Sequence, residues 1–172
     1  SKFIMASKTV SHARYAEDAI VPDPFGGAGD VNEVVLSYTP SATITLAQND
    51  TLTYYLGRLP PNMRITDMRL ISDAMGTGVN AVAGILEDRA TGWASQTTTP
   101  TVETAFISSS SVASATAALR ANTSAGPRLA IDEVYDSAIG VQLTATDAGG
   151  ASITTAKRID LVVSYAMKNA GD

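Results

Sequence analysis

A chain of 172 residues with a formal net charge of −5 can bury one core of ordinary size. Its acidity argues against nucleic-acid binding, which draws its affinity from clustered Lys and Arg; the 12 basic residues here are scattered. The absence of cysteine excludes disulfides, thiolate metal sites and cysteine nucleophiles.

No stretch is long and apolar enough to span a bilayer as a helix, and the opening SKFIMASKTV lacks the apolar run of a signal peptide. The expectation is a soluble chain made and folded inside a cell, with no membrane partner. Charged residues are only 17% of the whole, well below the usual quarter or so. Ser, Thr and Ala take their place, and such a surface carries few ion hydration shells to strip. It suits packing against a like subunit, although a neutral monomer satisfies the same composition.

Residues 1–30 show no sustained period and read as an N-terminal arm or lead-in, with a short helical turn over Ala13–Ala19. Pro22, Pro24, Gly26 and Gly27 make the end of this segment extended and then irregular. An arm of this length lies along its own domain or a neighbouring subunit, or is a partly disordered tail. Residues 31–172 read as the folded domain.

Alternation begins at Val31. Val31–Tyr38 predicts a strand ended by Pro40, and Ala42–Leu46 a shorter one. Thr51–Leu56 follows, with Leu52, Tyr54 and Leu56 on one face. Gly57-Arg58-Leu59-Pro60-Pro61-Asn62 breaks the run, because two prolines lack amide donors. Met63–Ala74 resumes it with mixed alternation that suggests a bulge or a doubly covered strand. Val79–Glu87 predicts another strand, and Trp93–Glu103 a Thr-rich loop.

Ala105–Ala121, AFISSSSVASATAALRA, has N-capping serines and then alanines, and predicts the one short helix of the domain. Ala138–Thr146 and Ala156–Lys168 predict two strong closing strands. The turn-rich linker Asp147-Ala148-Gly149-Gly150-Ala151 predicts that they pair as a hairpin, with Ile153–Thr155 lengthening the second. About eight short strands without a βαβ rhythm define an all-β chain, an antiparallel β-sandwich of jelly-roll type.

Chemistry-bearing patterns are sparse. His12 is the sole histidine and falls in the arm, a poor place for a rigid base. Asp67, Asp73, Glu87, Asp88, Asp132, Glu133 and Asp136 follow no calcium-loop pattern and read as solvated turn carboxylates. The glycine pairs lack any phosphate-loop context. Trp93 with Tyr54 and Tyr55 could form a sugar-stacking platform, although a lone loop Trp is more often a packing anchor. No enzyme activity, cofactor or metal is expected.

YYLGRLPPNMRI from Tyr54, followed by Leu70-Ile71-Ser72-Asp73-Ala74-Met75-Gly76, resembles small virion proteins of tailed bacteriophages. Gly84-Ile85-Leu86-Glu87-Asp88 and the terminal Ile159–Tyr165 are similar as well. The resemblance implies a capsid decoration, or cement, protein with a jelly-roll core. Such a protein sits on the outer capsid surface of the virion, after synthesis in the host cytoplasm, and braces joints between subunits. Its implied partners are the major capsid protein and itself, as a homodimer or homotrimer. Expected contact residues are Phe3, Tyr15 and Phe25 in the arm, and Arg58, Pro60, Pro61 and Asn62 in the turn. Another virion part, such as a fibre base or tail component, and a carbohydrate- or receptor-binding module are the alternatives.

Overall fold

Residues 7–11, 31–86, 102–121 and 136–167 are described in the computed structural model of the chain. Among them run eleven strands: β1 (Ser7–Ser11), β2 (Val31–Tyr38), β3 (Ile44–Leu46), β4 (Thr51–Leu59), β5 (Met63–Ser72), β6 (Val79–Leu86), β7 (Val102–Ser111), β8 (Thr116–Arg120), β9 (Ser137–Ala145), β10 (Ala151–Ile153) and β11 (Ile159–Met167). One sheet has the order β1-β4-β9-β6-β7, the facing sheet β2-β11-β5-β8, and β10 pairs with β3 in a small ribbon. All pairings are antiparallel except that of β1 with β4.

The alternation of apolar residues fixes which face of each strand turns inward. Leu52 and Tyr54 of β4, Val79, Ala81, Ala83 and Ile85 of β6, and Ile139, Val141, Leu143 and Ala145 of β9 line one side of the core. Leu36 and Tyr38 of β2 and Ile159, Leu161, Val163 and Tyr165 of β11 line the other. The Tyr38 and Tyr54 rings meet across the two sheets with centroids 4.5 Å apart. Burying a large apolar side chain contributes roughly 1.5–3 kcal/mol, so these rows hold the sheets together.

The mixed alternation of β5 is a bulge. Asp67 pairs with Ser164 and Ile65 with Tyr165, leaving Thr66 as the extra residue. The bulge turns both Ile65 and Met68 into the core, where neither is exposed.

Four expectations from sequence are corrected. Ala105–Ala121 is not a helix, and no helix occurs among the described residues. It forms β7, a turn and β8. Alanine's helix preference is under ~1 kcal/mol per residue, and a sheet-edge partner outweighs it. β7 pairs along the whole of β6, with register shifts that bury both Phe106 and Ile107.

The two closing strands do not form a hairpin. β9 lies between β4 and β6, and β11 lies in the opposite sheet between β2 and β5. Both strands are largely buried, so each needs two neighbours. Ile153 does not extend β11. It belongs to β10, which the Asp147–Gly150 turn delivers to β3. Gly150 is required there: its φ is +68°, and a Cβ would lie 2.1 Å from the Leu46 carbonyl oxygen. Finally, β4 runs through Gly57 to Leu59, so the break is confined to Pro60–Asn62.

Candidate interaction surfaces

Strand directions sort the described loops into two ends. Loops 39–50, 73–78, 112–115 and 146–158 share one end and are stitched together. Asn49 N donates to Ala145 O, Met75 N to Val112 O, Thr146 N to Gly78 O, and Asp73 N to Arg158 O. The Thr146 hydroxyl donates to Gly78 O at 2.7 Å, and Arg158 N to the Asp73 carboxylate at 2.8 Å. Between these loops lies an open cleft of about 300 Å³ lined by Met75, Asp147 and Lys157 among others. The Lys157 amine is engaged by the Ala74 carbonyl. This end is a braced cap.

The 60–62 turn is at the other end. Leu59 and Met63 on either side are buried, Pro60 and Pro61 are half-buried, and Asn62 is exposed. Pro61 holds its own φ near the proline value, and Asn62 has φ +65°, the pattern of a type II turn. Asn tolerates this conformation better than other non-glycine residues. Asn62→Gly is therefore expected to keep full stability. Asn62→Val is expected to lose about 1–2 kcal/mol, read from denaturation midpoints, through the steric cost of left-handed backbone.

Arg58 is largely enclosed and pairs with Asp136 at 3.2 Å, so it anchors the turn to the start of β9. Of the expected contact residues, Pro60, Pro61 and Asn62 thus share one surface with Arg58 behind them. Phe3, Tyr15 and Phe25 lie outside the described residues.

The outward face of the β2-β11-β5-β8 sheet is a second surface. Val31, Glu33, Val35 and Ser37 of β2 lie beside Asp160, Val162 and Ser164 of β11, which lie beside Arg69 and Asp67 of β5. Arg120 pairs with Asp67 at 3.0 Å, and Arg158 with Asp160 at 2.8 Å. Pairs as exposed as these contribute little, about 0–1 kcal/mol each. Arg158 also donates to the Ser37 hydroxyl at 3.3 Å. Val31 and Val35 are 61% and 47% exposed, the exposed large hydrophobics among the described residues. The strand alternation that places Val34 and Leu36 inward carried this signal, since it leaves the odd-numbered valines outside.

The aromatic platform is overturned. Tyr54 is fully buried, and Tyr55 packs with Leu86 and Ala138 in a small second cluster, so neither ring can stack a sugar; Trp93 lies outside the described residues. Burial, and secondarily the neighbouring Tyr38, raise the Tyr54 phenol far above its ordinary value of 10.0. Burial raises Tyr38 as well. Among the described residues no three His, Cys, Asp or Glu side chains gather where a metal could sit.

No family model matches the sequence, and no curated protein matches it. Solved structures do. The fold is similar to a chain in the capsid of Ralstonia phage GP4, with TM-score 0.66 and 22% identity, over 94% of this chain and 99% of that one. It is also similar to a chain in the cyanophage Pam1 capsid asymmetric unit, with TM-score 0.53 and 19% identity, over 88% and 95%. The chain therefore has a structural match to phage capsid structures over most of its length. Coverage this complete in both directions means the matched chains are close to this one in size.

Proposed function

We propose that this chain is a structural component of a phage capsid, and within it a decoration protein bound to the outer surface across joints between major capsid subunits. The observation that carries the reading is the two-way match to small chains of two phage capsids. The strand order supports it further. With β1, β3 and β10 set aside, the two four-stranded sheets β2-β11-β5-β8 and β4-β9-β6-β7 have the arrangement of a jelly roll, an architecture used by capsid proteins. A braced two-sheet body with few charges suits passive attachment. Attachment through several copies multiplies weak contacts into avidity.

The N-terminal segment serves as an arm in this reading. Ser7–Ser11 already adds to the β4 edge in parallel, with Thr9 opposite Thr53, which is the mode of binding by strand addition. Purified protein mixed with expanded empty heads is expected to co-sediment with them and to raise their resistance to heat. A variant lacking residues 1–30 is expected to bind more weakly while keeping a folded β-core. Failure of the full-length chain to co-sediment removes the decoration role. Undiminished binding by the truncated chain removes the arm's part in it.

A further inference from the structure

We infer that Arg69 and Arg120 form a carboxylate-binding site for an acidic peptide, on the outward face of the β2-β11-β5-β8 sheet. The two residues are opposite each other in the antiparallel pairing of β5 with β8. The next pair, Leu70 with Leu119, turns to the core, so both arginines share the outer face. Opposite residues in antiparallel strands have Cβ atoms about 4.5–5.5 Å apart, and like charges there repel. Arginine does not deprotonate in a folded protein, so loss of a proton cannot relieve the repulsion.

The described residues leave this pair short of negative charge. Asp67 has both oxygens engaged, one accepting from Met68 N at 2.9 Å and the other from Arg120 Nη2 at 3.0 Å. Asp160 of β11, diagonal to Arg69, accepts from Arg158 Nε at 2.8 Å. Arg69 is half-buried and has no ion pair among the described residues, and its Nε is buried without an acceptor. A buried donor left unpaired costs the desolvation of that group. A carboxylate seated between the two guanidiniums removes both penalties: it accepts from the Arg69 fork and separates the like charges.

The occupant follows from the surroundings. Asp67 stands beside the pair and repels a second negative charge, so a carboxylate fits better than a phosphate dianion. Pockets enclose small ligands, whereas this site is on a sheet face, where a peptide can extend. The cross-strand row runs from Arg69 to Val162 and on to Val35, which is 47% exposed and gives the peptide apolar surface. The net charge of −5 repels an acidic peptide elsewhere and confines it to this pair.

The test titrates the full-length chain into fluorescein-labelled hexaglutamate at low salt and reads anisotropy. The unmodified chain is expected to bind, more tightly than it binds glutarate in competition. Arg69→Gln is expected to weaken binding about tenfold or more, the loss of one charge-assisted contact, while its denaturation midpoint stays the same or rises. Arg69→Lys, which keeps the charge without the fork, is expected to bind between the two. Asp67→Asn removes the competing carboxylate and is expected to bind several-fold more tightly. No binding by the unmodified chain, equal binding by Arg69→Gln, or weaker binding by Asp67→Asn each overturns the inference. Self-association of the unmodified chain that Arg69→Gln abolishes would give the site to a second copy, and overturns it too. The experiment uses no capsid, so its outcome and that of head binding are independent.

Discussion

Replacing Gly140 by alanine is expected to destabilise the fold by roughly 3 kcal/mol or more, at the upper end of overpacking effects. Gly140 lies in β9 with Tyr55 of β4 on one side and Gly84 of β6 on the other. A Cβ there would stand 2.3 Å from the Tyr54 carbonyl oxygen and 2.7 Å from Leu86 Cδ1. Leu86 could turn away only into its own packed cluster, since it is not exposed. The carbonyl cannot retreat, because β4 is held between β1 and β9 and its register already shifts between Tyr55 and Gly57. Moving it would also displace the Tyr54 ring from Tyr38 across the sandwich. Gly149 is the control: nothing lies within 4 Å of a Cβ built there, so Gly149→Ala is expected to change stability by less than about 0.5 kcal/mol. Denaturant midpoints at constant slope read both effects. Equal midpoints for Gly140→Ala and the unmodified chain would mean that β4 and β9 do not meet in this register.

Alternation makes most strands legible from the residues alone. β2, β4, β5, β6, β9 and β11 all stand where a period of two places them, and the inward row Ile159, Leu161, Val163, Tyr165 of β11 is buried as read. The all-β, two-sheet character follows from these segments. Pairing is not legible in the same way, because a period of two states which face is buried and not which strand lies alongside. The turn at Asp147–Gly150 has hairpin composition, yet it feeds β10 and the ribbon with β3.

The 105–121 segment misleads for a different reason. Alanine and serine carry weak local preferences, so the outcome rests on the open edges of β6 and β5, which β7 and β8 occupy. The candidate surfaces are half legible. Pro60, Pro61 and Asn62 announce a stiff turn, and the fold adds that Arg58 is tied to Asp136 behind it. That β2 is an edge strand depends on sheet order, so the exposure of Val31 and Val35 needs three dimensions.

Alkaline pH is expected to unfold this protein from its centre, and Tyr54 is the reason. Its ring is fully buried against Tyr38, and its hydroxyl has no hydrogen-bond partner among the described residues. Burial first, and Tyr38 second, push its pKa far above 10.0. A raised folded value means that the fold holds the neutral phenol and the unfolded chain releases the proton first. The stabilisation is therefore complete below the ordinary tyrosine pKa and is lost as pH climbs above it. The loss is about 1.4 kcal/mol per pH unit for one such group, and Tyr38 acts in the same direction. Tyr54→Phe keeps the ring and deletes the titration, so its stability should fall less steeply with alkali. At neutral pH it should gain about 1 kcal/mol, since a buried hydroxyl without a partner costs on that order. Denaturation at neutral pH and about one unit above the ordinary tyrosine value measures both effects. Ultraviolet absorbance of the native protein supplies the independent check. An unchanged alkaline slope in Tyr54→Phe, with every phenol titrating near its ordinary value, would place Tyr54 in contact with solvent and break the Tyr38–Tyr54 bridge between the sheets.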